Sequence, residues 1–187
     1  MDQPTLENER VRLIPVTLDD LDGLWQVSQQ NPGLLKYSPS DISTKEKLRV
    51  YLQEAIQDRN AYVIYDKNSG SVAGCTSYGN ISDHHKRVEI GWTWIGRNHQ
   101  GTGLNGHVKL LMLKYAFEEA GMQRIEFKID ARNQQSRRAV EKLGAQYEGC
   151  LRSHTLMLDG FRRDTVYYSI LASEWQSCKH IIKENMK

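Results

Sequence analysis

The sequence predicts a single mixed α+β domain spanning residues 1–187. Three observations carry this. Strand-like alternation and helix-like periodicity succeed one another along the whole chain, and turn clusters join neighbouring β-rich runs as hairpins do. No repeat, low-complexity tract or Pro/Ser-rich linker interrupts that order. A chain of this length can bury a sizeable core without disulfides or metals.

Residues 10–16 alternate apolar and polar as a half-buried strand does. Thr17-Leu18-Asp19-Asp20 then opens a helix with Thr17 as N-cap, which fades near Asn31-Pro32-Gly33. A second helix is expected over 44–58, because Leu48, Tyr51, Leu52 and Ala55 fall on one apolar stripe. Residues 61–65 and 71–78 are β-rich and flank the turn cluster Asp66-Lys67-Asn68-Ser69-Gly70, which makes them an antiparallel hairpin. A strand over 87–95 puts Val88, Ile90, Trp92 and Trp94 on one face and Glu89 and Thr93 on the other, so that Glu89 projects away from the tryptophans.

The longest helix is expected over 102–120, rich in Leu, Met, Lys and Ala and closed by Gly121. Residues 124–129 form the next strand, and 133–143 a helix capped by Asn133 and stopped by Gly144. Strands over 146–151 and 164–171 pair across the Met157-Leu158-Asp159-Gly160 turn region. From Glu174 the chain is polar and suits a loose helix, which puts the core at about 5–175 and leaves 176–187 as a polar tail.

A hydrophobic share of 39% and a charged share of 26% are those of a soluble globular protein, far from the signature of disorder. The net charge of +2 is too small to argue for nucleic acid. Met1-Asp2-Gln3-Pro4 has neither the basic start nor the apolar run of a secretory signal, and no segment approaches the ~20 apolar residues of a membrane span. A cytoplasmic protein without a membrane partner is expected. Cys75, Cys150 and Cys178 lack CxxC spacing, which predicts buried or idle thiols. The histidines, His84-His85 included, lack spacing such as HExxH, so no metal site is expected.

The most informative stretch is Gln100-Gly101-Thr102-Gly103-Leu104-Asn105-Gly106, placed between a strand and the long helix. Glycines let the backbone approach a ligand, and the free amides and dipole of a helix N-terminus make an anion site. No acidic residue lies between Glu89 and Glu118, while Arg97, Lys109 and Lys114 fall inside that gap, which suits a polyanion. Gly101, Gly103 and Gly106 also satisfy GxGxxG, with Glu126 and Asp130 near the place of a ribose-binding acid, so an NAD(P)-dependent oxidoreductase is the alternative. Against it, the motif follows antiparallel-looking strands and only about eighty residues remain for the parallel units that fold requires. The lack of GK[ST] excludes the phosphate loop of nucleotidases.

Gln100-Gly101-Thr102-Gly103-Leu104-Asn105 resembles motif A of the GNAT N-acetyltransferases, Q/R-x-x-G-x-G/A, with Asn105 in place of the final small residue. The resemblance begins at Glu9-Arg10-Val11-Arg12-Leu13. It continues through Asn133-Gln134-Gln135-Ser136, Lys142-Leu143-Gly144-Ala145, Glu148-Gly149-Cys150-Leu151-Arg152, Asp159-Gly160 and Arg163-Asp164-Thr165. Together these resemble the ribosomal-protein N-acetyltransferase (RimJ/RimL-like) branch over residues 5–175. The resemblance implies an α/β/α sandwich, the GNAT fold. Its twisted, mixed, mostly antiparallel sheet of about seven strands would splay between the strand ending at Ile95 and the one starting near Arg124. Acetyl-CoA would lie in that wedge with its pyrophosphate on Gln100, Gly101, Thr102, Gly103, Leu104, Asn105 and Gly106. The same resemblance assigns backbone groups of Trp94 and Ile95 to pantetheine and the acetyl oxygen, and Asn133 to the pantetheine arm. It gives Ser136 the protonation of the departing thiolate. Tyr147 is a second candidate acid, and Arg137 and Arg138 are candidates for the CoA phosphates, although consecutive helical arginines are commonly solvated.

The implied activity is acetyl transfer to a primary amine by direct attack in a ternary complex. The thioester is already activated, so the protein must hold the amine, stabilise the tetrahedral oxyanion and manage two protons. An α-amine has pKa ~8 and a lysine ~10.4, so the acceptor arrives protonated and needs a base. Glu89 is the candidate, directly or through water; its competing reading is a solvent-facing or cross-strand paired acid. The competing reading of Ser136 is a helix-start serine bonded to the backbone. A non-catalytic acyl-CoA sensor would keep the glycine loop yet turn over no amine. The acceptor, a protein N-terminal α-amine or a small molecule, would contact the first two helices, the loop 31–43 and the region 153–163, which carry no readable code. A homodimer is left open.

Overall fold

The computed structural model describes residues 1–186, in which eight strands build one sheet. These are β1 (Leu6–Glu7), β2 (Val11–Pro15), β3 (Asn60–Asp66), β4 (Ser71–Ser82), β5 (Arg87–Ile95), β6 (Arg124–Asp130), β7 (Gln146–Leu156) and β8 (Arg162–Leu171). Five α-helices, α1 (Leu21–Ser28), α2 (Lys45–Asp58), α3 (Leu104–Lys114), α4 (Gln134–Glu141) and α5 (Trp175–Glu184), cover it. The strand order is β1-β2-β3-β4-β5-β6-β8-β7, and every neighbouring pair is antiparallel except β5–β6. The expected count of about seven strands misses only β1, a two-residue strand that pairs with β2.

Two apolar clusters make the sandwich. On one face Leu24 of α1 and Leu48, Tyr51, Leu52 and Ala55 of α2 pack with Val63, Cys75 and Trp94; the predicted stripe of α2 is the face it buries. Thr44 caps that helix by accepting from the Lys47 N–H at 3.2 Å. On the other face Val88, Ile90, Ile125 and Phe127 meet Leu104, Val108 and Met112 of α3, Val140 of α4, and α5. Cys75 and Cys178 are buried and Cys150 is exposed.

Four local readings are corrected. The first helix opens as a 3-10 turn, Leu18–Asp20, in which the Asp20 carboxylate accepts from both the N–H and the hydroxyl of Thr17; α1 begins only at Leu21. The long helix starts at Leu104, because Gly103 stands at φ 81, outside the right-handed helix. It widens into a π-helical stretch over Tyr115–Glu119, where Ala120 N–H donates to the Tyr115 carbonyl, before Gly121 closes it at φ 65. Residues 176–186 are no loose tail: Cys178 and Ile182 of α5 enter the main core with Trp175, and Met186 packs against it. Their spacing is that of a helix with one apolar face, diluted by exposed Lys, His and Glu.

The fourth correction concerns β5. Cys75 pairs with Trp94 but Ser77 pairs with Gly91, so β5 holds one residue more than β4 in that interval, and Trp92 takes φ 50. A bulge of this kind reverses the side-chain alternation beyond it. Val88 and Ile90 therefore face α3, whereas Trp94 joins the α1–α2 cluster and the Trp92 ring lies over Gly79, the register partner of Glu89. Glu89 shares its face with the tryptophans instead of opposing them. Thr93 is turned toward α3, where its hydroxyl accepts from Lys109 Nζ at 2.7 Å and meets Thr76 Oγ1 at 2.7 Å.

Lys109, expected among the cations available to a polyanion, is only 6% exposed and pairs with no carboxylate among the described residues. Burial lowers its pKa to about 7. The unfolded chain then binds more protons than the folded one between about 7 and the ordinary lysine value. Stability therefore rises with pH through that window, and the cost of burying Lys109 is complete below it. Lys109→Met should remove this dependence: in urea titrations it should gain stability over the parent at pH 6, with the gain shrinking toward pH 9.

Candidate active site

The ladder between β5 and β6 is short. It comprises Arg87–Arg124, Val88–Ile125 and Glu89–Glu126 and stops there. Beyond Glu89, β5 stays with β4 as far as the pair Gly74–Ile95, while β6 stays with β8 over Arg124–Asp130. The sheet forks. The bulge at Trp92 adds local twist to β5 just past the last shared pair, and the β6-facing edge of β5 from Ile90 to Ile95 has no strand beside it among the described residues. This is the splay expected between Ile95 and Arg124.

The glycine loop stands at the open end of the fork. Gln100 Nε2 donates to the Ile95 carbonyl at 2.8 Å, and Thr102 Oγ1 donates to the His99 carbonyl at 2.8 Å. The His99 ring is tied to Asp66 at 3.0 Å, and Asp66 in turn accepts from Arg10 Nε at 2.9 Å, which fixes the loop to the β3–β4 turn. Gly101 and Gly103 stand at φ 74 and 81, and a Cβ added to either would meet no atom within 4 Å, so torsion and not crowding requires glycine there. Among the described residues the backbone N–H groups of 101–105 find no acceptor, and they lie at the N-terminus of α3. Gly106 differs: a Cβ there would press on Met186 at 3.2 Å, so its role is packing. Asn105, the departure from motif A, turns inward with Oδ1 buried and unpartnered among the described residues.

At the closed end lies Glu89, 6% exposed. Its Oε2 accepts from Asn80 Nδ2 at 2.6 Å and forms an ion pair with Lys128 Nζ at 2.7 Å, while Oε1 has no hydrogen-bond partner among the described residues. The solvent-facing reading of Glu89 is thereby removed and the cross-strand pairing is real. Lys128 and Asn80 went unseen in the sequence, because only the β4–β5 and β5–β6 registers bring them to Glu89.

Ser136 lies in the first turn of α4, half-buried, and its N–H donates to Asn133 Oδ1 at 3.1 Å. Asn133 is thus the N-cap, as predicted, and the Ser136 hydroxyl is free of backbone partners among the described residues. Trp94 and Ile95 lie on the unpaired arm of β5; the Trp94 indole is buried and donates to Tyr51 OH at 3.4 Å. Arg137 is engaged inward with Tyr168 OH and the Ala131 carbonyl, whereas Arg138 is exposed. Tyr147 is exposed on β7 with its ring against Tyr168.

A cleft of about 220 Å³ opens between the α1–α2 loop and the β7–β8 turn, lined by Lys36, Tyr37, Arg132, Met157, Leu158 and Asp159 among others. It joins the loop 31–43 to the region 153–163, two of the segments expected to meet an acceptor, without the first two helices. Arg163 Nη1 donates to the Tyr37 carbonyl at 2.7 Å, and the Arg132 guanidinium stacks 4.0 Å above the Phe161 ring.

Residues 10–146 match the acetyltransferase (GNAT) domain family. The chain belongs to the GNAT acetyltransferase family. It is 34% identical over 119 residues to the Bacillus subtilis (strain 168) protein named "Putative ribosomal N-acetyltransferase YdaF", a match spanning 64% of this chain and 62% of that one. To the Bacillus licheniformis "Uncharacterized N-acetyltransferase p20" it is 29% identical over 177 residues, covering 91% and 98%. The crystal structure of a GCN5-related N-acetyltransferase from Brucella melitensis superposes with a TM-score of 0.93 at 26% identity, covering 100% of this chain and 87% of that one. The α/β/α sandwich with a forked mixed sheet is therefore the GNAT fold. The oxidoreductase alternative has no support: its fold needs successive parallel strands, and β5–β6 is the single parallel pair among the described residues.

Gly103→Ala tests the loop. The added Cβ meets no atom, but the left-handed torsion should cost ~1–2 kcal/mol in denaturant titrations. Re-aiming one amide should weaken acetyl-CoA binding about tenfold by calorimetry.

Proposed function

We propose that this protein is a cytoplasmic N-acetyltransferase that moves an acetyl group from acetyl-CoA to a primary amine by direct attack in a ternary complex. The observation that carries this reading is the fork between β5 and β6, with unpartnered amides at its mouth and a carboxylate at its vertex. A long anionic thioester fits such a fork: the amides of 101–105 would hold its pyrophosphate, and the free edge of β5 at Trp94 and Ile95 would hold its pantetheine arm. Asn133 spends its side-chain oxygen on capping α4, which leaves its amide N–H groups for the same arm.

Glu89 Oε1 would take the proton of the incoming ammonium, directly or through one water, while Oε2 stays with Lys128 and Asn80. The Ser136 hydroxyl would return a proton to the departing thiolate. The acceptor would enter by the Tyr37–Arg132–Leu158 cleft. Similarity to a protein named as a ribosomal N-acetyltransferase favours a protein N-terminal α-amine over a small molecule.

Calorimetric titration should give saturable micromolar binding of acetyl-CoA and none of NADH or NADPH. Thiol release over a panel of N-terminal peptides and small amines should then give turnover, whereas binding without turnover of any amine would make the protein a sensor. Glu89→Gln should lower turnover on the order of 100-fold with acetyl-CoA affinity unchanged. An unaltered rate across pH would remove Glu89 from the mechanism.

A further inference from the structure

We infer that Lys128 is an intramolecular acetyl acceptor, so that the protein acetylates itself on this side chain when acetyl-CoA is bound and no other amine occupies the site. The inference rests on the acetyl-CoA reading above.

Lys128 stands on β6 two positions past Glu126, the last residue of β6 paired with β5. In the strand's alternation Ile125, Phe127 and Ile129 enter the core on the α3 side, which leaves Lys128 on the face shared with Glu89. Its Nζ reaches across the fork to Glu89 Oε2 at 2.7 Å. Glu89 is the last residue of β5 in the shared ladder and Lys128 lies on β6 just beyond it, so the pair bridges the vertex of the fork. Among the described residues, no other lysine pairs with Glu89. The Lys109 nitrogen faces the opposite side of the sheet, on Thr93. The Lys128 side chain is 20% exposed, with Nζ 5.6 Å above the Tyr167 ring. Arg163, also near Glu89, cannot accept an acetyl group in this way because its guanidinium stays protonated.

The pair thus holds a primary ammonium against the candidate base, which is the arrangement an external acceptor would have to reach. The step balances without further reagents. Glu89 removes one proton from the ammonium; Nζ bonds to the acetyl carbon as the C–S bond breaks with its electrons on sulfur. The second nitrogen proton passes to the thiolate. The products are an acetamide, CoA thiol and one proton released to solvent through Glu89. Acetylation cancels the Lys128 charge and takes its ammonium from Glu89 Oε2, which keeps Asn80 as a donor.

The full-length protein incubated with acetyl-CoA and no acceptor should gain one acetyl group by intact mass, mapped to Lys128 by peptide mass spectrometry. Its rate constant should be independent of protein concentration, as an intramolecular step requires. Lys128→Arg should abolish that gain while binding acetyl-CoA with parental affinity, and Glu89→Gln should slow it on the order of 100-fold. Thermal unfolding of both variants would establish that they fold. Binding of acetyl-CoA with Lys128 left unmodified, acetylation spread evenly over surface lysines, or a rate proportional to protein concentration would each overturn the inference alone. Failure to bind acetyl-CoA in the parallel calorimetry would overturn the underlying reading together with it.

Discussion

Strand β5 has to satisfy two neighbours that part company. It hydrogen-bonds β4 from Arg87 to Ile95, but β6 only from Arg87 to Glu89. Backbone groups left without a strand partner inside a domain must find some other partner, whether side chain, water or ligand. The extra residue at Trp92 makes this possible: it bends β5 while keeping its pairing to β4, so the sheet opens without losing its continuity. The turn of Trp94 into the α1–α2 core follows from that one insertion.

The bulge also explains where sequence reasoning succeeded and where it failed. The stripe of α2, the β3–β4 hairpin, the cap Asn133 and the stops Gly121 and Gly144 depend on neighbours a few residues apart, and they were legible. The glycine loop was legible for the same reason. The face of Glu89 relative to Trp92 and Trp94 depends on a count of residues against another strand, which strict alternation along β5 cannot reveal. Lys128 was invisible because its meaning lies in the β5–β6 register. The apolar face of α5 was masked by its charged remainder.

Charge is handled oppositely on the two sides of the sheet. On the α3 side Lys109 is buried with hydroxyls alone, which favours its neutral form. On the other side Lys128 Nζ is paired with Glu89 Oε2 at 2.7 Å and stands 5.6 Å above the Tyr167 ring.

The contact between Gly106 and Met186 has a consequence for the order of folding. The helix that begins at the glycine loop is seated partly by a segment that follows it by most of the C-terminal half of the sheet, β6 to β8, and then α5. During synthesis α3 emerges long before the residue that buttresses its first turn. The amides at its N-terminus acquire their final support only when that later segment has been made and docked. A nascent chain carrying the complete loop therefore still lacks the contact that seats the first turn of α3, and the final setting of that turn is postponed until α5 is in place.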